Sequence, residues 1–183
     1  MPGKSLVVAL TVAAFVTATH TVTAEDSAAE IAKNSQAALA SLYAKVPKAK
    51  DLGARANAIL VFPKIVKAGL GIGGQHGEGA LLKGGKAAAY YDTSGGSVGL
   101  QIGGQTYGYA LFFMNEKALA QLDKADGFEI GVGPSVVLMD EGKAKNITTT
   151  TTADDIYAFI FDQKGAMAGV GIQGNKITRI HPK

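Results

Sequence analysis

Residues 61–85 constrain the fold of this chain more than any other stretch. Glycine recurs there mainly on alternate positions, at Gly69, Gly71, Gly73, Gly74, Gly77 and Gly79. Because side chains alternate between the two faces of a strand, one face of a strand here would be nearly bare backbone. Glycine weakens a strand and is found where another backbone or a ligand comes close. The stretch therefore predicts a glycine-faced strand packed against another backbone, a phosphate or a lipid head group.

The same stretch satisfies the dinucleotide-binding pattern GxGxxG at residues 69–74 but lacks the context that the motif needs. The motif binds a pyrophosphate where a strand turns into a helix N-terminus. The residues that follow, QHGEG, are too rich in glycine to begin a helix, and no βαβ unit follows them. A Gly-Gly-Lys sequence ends at Lys86, but Ala87 stands where a P-loop has Ser or Thr. We therefore expect no nucleotide and no other cofactor.

The rest of the hydrophobic pattern predicts an α+β fold. Residues 25–46 repeat apolar positions at spacings of three and four, which is typical of an amphipathic helix, and Ser27 with Glu30 forms a capping-box pattern. Its narrow, alanine-rich stripe favours packing on a sheet over membrane insertion. Pro47 suits the first turn of a second helix, and Asn115 caps a short helix through about residue 123. Two N-terminal helices, a run of strands and one short helix between them predict a β-rich antiparallel sheet that can curl toward a barrel.

Turn signals divide the strand region. Pro63 is expected to end a short strand at residues 59–62, Gly84 and Gly85 to form a two-residue hairpin loop, and residues 93–96 to form the next turn. The pattern predicts further strands at residues 65–82, 87–92, 98–103, 107–114, 128–139 (broken by glycine and proline), 144–152, 156–161, 167–172 and 177–180.

Residues 1–24 have the pattern of a signal peptide. Lys4 supplies the positive charge, residues 5–16 form a 12-residue apolar stretch, and Val-Thr-Ala ends at Ala24. Twelve apolar residues are too few for a permanent membrane-spanning helix, which needs about 20. An uncleaved N-terminal anchor is the alternative. We expect cleavage after Ala24, a single domain over residues 25–183, and an exported protein that is periplasmic or peripherally membrane-associated.

The charge distribution and the scarcity of candidate catalytic residues limit the classes of function that the chain can have. Residues 31–90 carry a net charge of +7 and residues 91–163 one of −6, so the halves either present opposite potentials or neutralise each other in the fold. There is no cysteine, which excludes a disulfide, a thiolate metal site and a lipobox acyl anchor. His76 and Glu78 lie on one side of a strand, but no spacing suggests a third ligand. We expect no catalytic residue, no metal and, for want of a basic patch with aromatics, no nucleic-acid binding.

Three segments resemble the SYLF domain family. They are AILVFPKIVKAGLGIGGQHGEGALL, SVGLQIGGQTYGYALFFMNEKAL and IFDQKGAMAGVGIQG, and the likeness extends over about residues 51–180. Bacterial members are exported and lipid-associated, so the resemblance implies a β-rich fold with flanking helices that binds anionic phospholipid through a basic surface. The residues to which it assigns binding are Lys64 and Lys67, followed by Lys48, Lys50 and Arg55.

The sequence therefore predicts a non-enzymatic, exported module that binds anionic phospholipid at a membrane surface. The alternative is a structural protein that uses its glycine-rich sheet to self-associate as a homo-oligomer or to dock an envelope protein partner, because bare strand backbone also suits edge pairing.

Overall fold

The computed structural model describes residues 27–124, 126–130, 132–139, 154–165 and 175–183. Its elements in chain order are helices α1 (Ala28–Lys45) and α2 (Pro47–Gly53), strands β1 (Ala58–Lys83) and β2 (Lys86–Phe113), helix α3 (Glu116–Leu119) with a 3-10 turn (Ala120–Asp123), and strands β3 (Phe128–Glu129), β4 (Val136–Met139), β5 (Ile156–Gly165) and β6 (Lys176–Ile180). The predicted α+β class, with two N-terminal helices and one short helix between strands, is confirmed. The predicted signal peptide and the strands at 144–152 and 167–172 lie outside the described residues.

β1 and β2 form one long antiparallel hairpin that dominates the fold. Their pairing runs from Ala58 opposite Phe113 to Lys83 opposite Lys86. Gly84 and Gly85 close the hairpin with φ angles of 57° and 79°. A two-residue loop with both φ angles positive fits the right-handed twist of the strands, and glycine adopts it without a steric cost. The predicted hairpin loop is confirmed.

Two predicted interruptions of these strands are wrong. Pro63 does not end a strand, because it lies in a β-bulge between Phe62 and Ile65, where the missing N–H removes no ladder hydrogen bond. Residues 93–96 do not turn either, because they pair with β1, and Thr93 also pairs with β6 on the other side. Pairing on both edges outweighs the turn preference of Thr-Ser-Gly-Gly, so three predicted strands form the single strand β2.

β1 bends back on itself at Gly69–Gly73, and its two halves lie against each other. A Cβ atom at Gly69 would lie 2.5 Å from Gly73 Cα. Beyond the bend, a Cβ at Gly77 would lie 2.8 Å from the carbonyl oxygen of Lys64, and one at Gly79 would lie 2.2 Å from that of Val61. Of the three partners that the glycine face predicts, the structure therefore shows another backbone, namely the first half of the same strand.

Helix α1 covers the seam where the free edges of the two halves of β1 meet. Its residues Ile31, Leu39 and Leu42 are buried against the sheet, which confirms the predicted packing. The Ser35 hydroxyl lies in the seam, donating to the carbonyl oxygen of Val61 at 3.0 Å and accepting from the amide of Ala80 at 3.1 Å. Ser35 thus satisfies one polar group on each strand edge.

The remaining strands extend each half of the hairpin into a curled half-barrel. The second half of β2 pairs with β5, and its first half pairs with β6, which pairs with β3. β4 joins β5 in parallel, so the sheet is antiparallel except at this edge. Alternate strand residues fill two apolar clusters, one inside the curl around Phe62 and Tyr109, and one under the helices around Phe112 and Phe159.

Candidate functional site

The bulge at Pro63 places Lys64 on the outer surface, beside a groove of about 570 Å³. The charged lining of this groove comes from separate elements of the fold: Lys45 from α1, Lys64 from β1, and Asp162 and Lys164 from β5. Three ammonium groups and one carboxylate give the groove a net charge of +2. We call these four residues the basic groove. An open surface with this excess of positive charge attracts anions.

Asp162 holds the basic groove together. Its carboxylate forms an ion pair with Lys45 and accepts a hydrogen bond from the Ser41 hydroxyl at 3.4 Å, so it ties the end of α1 to β5. Its backbone has φ of 53°, a left-handed conformation that aspartate tolerates better than most residues. Next to it the Phe161 ring covers Gly108, where a Cβ atom would lie 2.4 Å from the ring. The close fit of β5 on β2 brings Lys164 to the same groove as Lys64.

Large aliphatic side chains are exposed near the basic groove. Leu70 is 79% exposed and Ile72 is 76% exposed at the bend of β1, and Val66 on the same strand is 47% exposed. Six residues of extended chain span about 20 Å, so Leu70 lies within that distance of Lys64. Isolated exposed aliphatics are ordinary, but a group of them at the bend of β1, on the same strand as Lys64, is typical of surfaces that meet a membrane or another protein.

The structure separates Lys67 from Lys64. The bulge shifts the strand alternation so that Ile65 joins the inner cluster, and Lys67, two residues further on, is only 6% exposed. It lies opposite Gln105, which is also buried. The sequence suggested that Lys67 binds a membrane surface beside Lys64. A side chain that points inward is poorly placed for that role.

The other basic residues of the predicted set lie elsewhere. Lys48 is exposed on α2 and forms an ion pair with Asp51 at 3.7 Å. Lys50 borders a second groove, of about 430 Å³, beneath the Gly84–Gly85 loop. Arg55 interacts electrostatically with Tyr157. Burial raises the pKa of the Tyr157 hydroxyl, and the positive charge of Arg55 opposes that rise.

The predicted lipid-binding set is thus divided between different parts of the fold. Tyr157 lies near the start of β5 and Asp162 in its second half, so Arg55 and Lys64 lie at different places along this strand. The five residues do not form one surface.

The His76 and Glu78 pair lies on the outer face of the second half of β1. His76 is exposed, and Glu78 faces Asp92 across the ladder. Burial raises the pKa of the Asp92 carboxyl, and the charge of His76 partly offsets that rise. Within the described ranges, no group of three or more His, Asp or Glu side chains is arranged to hold a metal ion.

Sequence reasoning missed most of the basic groove. Lys45 and Lys164 join Lys64 only through the packing of α1 and β5 on the sheet, and nothing local in the sequence indicates that. Leu70 and Ile72 did carry a signal, because they occupy the face opposite the alternating glycines. The glycine face is packed inward, so the aliphatic face had to point outward.

Comparison with known proteins gives a family match for the second half of the chain. None of the helices in the described part of the chain has the length and apolarity needed to cross a membrane. No curated protein matches the chain. Residues 94–181 match the family model described as Ysc84, Las17-binding protein actin regulator, so Asp162 and Lys164 lie inside the matched range, and Lys45 and Lys64 precede it. Residues 94–181, just under half of the chain, thus match the Ysc84 (SYLF) family model, in agreement with the SYLF resemblance of the sequence.

Proposed function

We propose that this protein is a non-enzymatic module that binds anionic phospholipid at a membrane surface through the basic groove. The observation that carries the proposal is the convergence of Lys45, Lys64 and Lys164 from separate elements on one open groove, with the exposed Leu70 and Ile72 further along the strand that carries Lys64. The lysines supply attraction to phosphate groups, and the aliphatic side chains supply the contact with the acyl boundary that retains a peripheral protein.

Both contributions are of similar size. A lysine near an anionic surface contributes about 1 kcal/mol, so three contribute about 3 kcal/mol, reduced by Asp162 and by salt. An aliphatic side chain transferred from water contributes roughly 1.5–3 kcal/mol, so Leu70 and Ile72 together add about 3–6 kcal/mol. The sum gives reversible binding that weakens with salt but does not vanish.

Charge reversal with a matched control tests the proposal. The double substitution Lys64→Glu with Lys164→Glu changes the net charge by −4, as does Lys83→Glu with Lys86→Glu at the far end of the hairpin. Co-sedimentation with phosphatidylcholine vesicles that contain phosphatidylglycerol should be lost for the first variant and kept for the second. Equal loss in both variants would mean that only net charge matters, and unchanged binding in the first would refute the groove.

A second substitution isolates the aliphatic contribution. Leu70→Ser with Ile72→Ser should weaken vesicle binding at least tenfold while the steepness of its salt dependence stays the same, because the lysines are intact. Binding that is unaffected by this change would confine the interaction to electrostatics.

The second candidate function is docking of a protein partner or self-association. The matched family is described as Las17-binding and actin-regulating, and exposed aliphatics beside charges also suit a protein interface. The originally suggested route, edge pairing along the glycines, has less room at Gly77 and Gly79 because the first half of β1 already covers them. Light scattering of the protein without lipid discriminates, since a stable oligomer with no vesicle affinity favours this candidate.

We further propose that the protein is exported and acts at an envelope membrane after cleavage behind Ala24. The support is the charged, apolar and small-residue pattern of residues 1–24. N-terminal sequencing of the protein recovered from an exporting bacterial host should give Glu25 as the first residue. Recovery of the full-length chain in the membrane pellet would favour the uncleaved anchor instead.

A further inference from the structure

The inside of the half-barrel carries polar side chains at its bent end, where a core is normally apolar. The alternation of side chains along a strand places them inward. Thr93, for example, lies two residues after the core residue Tyr91 and therefore faces the same side of the sheet. We call this set the interior polar cluster, and its members are Lys67, Gln75, Thr93, Gln105, Tyr107 and Asn175. They belong to β1, β2 and the residue before β6.

Hydrogen bonds connect the cluster across the interior. The Tyr107 hydroxyl donates to Gln75 Oε1 at 2.7 Å, and Gln75 Nε2 donates to Asn175 Oδ1. Gly95 leaves the room for this arrangement, because a Cβ atom there would lie 2.4 Å from Asn175 Oδ1 and 3.0 Å from Gln75 Nε2. The two halves of the hairpin and β6 therefore share one contiguous polar site.

Several polar atoms of this site are buried without a partner. They are Thr93 Oγ1, Gln105 Oε1 and Asn175 Nδ2, and each of these residues is less than a tenth exposed. Folded proteins rarely leave such atoms unsatisfied, because their desolvation is then uncompensated. The unpaired atoms include donors and an acceptor, so one ligand that offers both can satisfy them.

Lys67 adds a buried positive charge to the cluster. Its side chain is 6% exposed, and among the residues that the structure describes no carboxylate forms an ion pair with it. The nearest acids of the adjacent strands, Glu78 and Asp92, occupy positions that alternate with the inward-facing Gly77 and Thr93 and so point to the outer face. A positive charge in a largely buried side chain is stabilised when an anion accompanies it.

We propose that the interior polar cluster binds a phosphate group, with Lys67 Nζ and Asn175 Nδ2 as donors to its oxygens and the Thr93 hydroxyl as a third donor. Phosphate fits better than a carboxylate because the hydroxyl of a monobasic phosphate can donate to Gln105 Oε1, whereas a carboxylate has no proton to give. The group can be free phosphate or the head group of an anionic lipid.

Tyr107 also lines the basic groove, but the proposed donors to the phosphate do not, so this site is tested on its own. Thermal unfolding is followed in inorganic phosphate and in chloride at matched ionic strength. Phosphate should raise the melting temperature of the wild-type protein in a saturable way, and calorimetry should give the corresponding Kd. Lys67→Met should abolish the shift, whereas Lys83→Met, an exposed control at the far end of the same strand, should keep it.

Two further variants guard against a folding defect in Lys67→Met. Thr93→Val keeps the shape of the side chain and removes an unsatisfied hydroxyl, so it should fold and raise the Kd for phosphate at least severalfold. Gly95→Ala intrudes on Asn175 and should raise it at least tenfold. No phosphate-specific shift in the wild-type protein, or the same shift in Lys67→Met and Thr93→Val, would overturn the proposal.

Vesicle binding distinguishes a lipid head group from free phosphate as the ligand. If Lys67→Met loses affinity for phosphatidylcholine vesicles containing phosphatidic acid as well as for inorganic phosphate, the ligand is a head group. If it loses only inorganic phosphate, the ligand is free in solution. Failure of the basic groove would instead appear as unchanged vesicle binding in Lys64→Glu with Lys164→Glu, so the two proposals fail in different measurements.

Discussion

Substitution of Ser35 by alanine tests how the fold seals the seam in β1. The hydroxyl group is fully buried and bonds both the carbonyl oxygen of Val61 and the amide of Ala80. Alanine removes the hydroxyl and leaves both backbone groups buried without partners. Each unsatisfied group costs about 1–3 kcal/mol, so Ser35→Ala should lower the free energy of unfolding by roughly 2–5 kcal/mol. That is a large fraction of the 5–15 kcal/mol typical of a domain.

Urea unfolding followed by circular dichroism measures this loss. With a slope of about 1–3 kcal/mol per molar urea, the midpoint should fall by on the order of 1–2 M. Ser41→Ala is the matched control on the same helix, because its hydroxyl makes a single exposed hydrogen bond at 3.4 Å and its loss should cost less than about 0.5 kcal/mol. Equal midpoints for the two variants would refute the argument that Ser35 satisfies both strand edges.

Three more predictions follow from particular contacts. Gly79→Ala should destabilise the fold by about 3 kcal/mol or more in urea because its Cβ would lie 2.2 Å from the carbonyl oxygen of Val61, whereas Gly96→Ala, with nothing within 4 Å, should be neutral. Burial raises the pKa of Tyr107 from 10.0 to about 12, so the associated stability is present below pH 10 and is lost as the pH rises toward 12; Tyr107→Phe should flatten that loss in pH-dependent unfolding. The pKa of the Asp155 carboxyl is lowered chiefly by the hydrogen bond from Asn115, so the stability that this bond contributes is present above about pH 4 and is lost on acidification. Asn115→Ala should therefore make the melting temperature less sensitive to acid, and an unchanged sensitivity would contradict this.

The sequence predicted the elements with local signals. Ser27 caps α1, Pro47 begins α2, Asn115 caps α3, and the glycine pair closes the hairpin, because each of these signals depends on residues within one turn. The alternating glycines also predicted close approach by a backbone. Which backbone approaches could not be predicted, because Gly79 meets Val61 only after the strand bends back on itself.

The errors share one physical cause, which is long-range pairing. Pro63 and residues 93–96 were interpreted from local preference, whereas the ladder with the partner strand decides their conformation. The single bulge at Pro63 also reverses the faces of the residues beyond it. Lys64 and Lys67 were predicted as one patch because both follow Pro63, but a spacing of three along one strand places them on opposite faces, one outside and the other inside the half-barrel.

The bend in β1 also bears on how newly made molecules avoid one another. Until α1 docks, the free edges of the two halves of β1 present unpaired amides and carbonyls that a second chain can pair with. α1 precedes the hairpin in the chain, so a molecule cleaved within α1 would keep its strands but lose the cover over them. Such a fragment should form fibrillar aggregates, which makes the first helix a safeguard against amyloid-like assembly as well as part of the core.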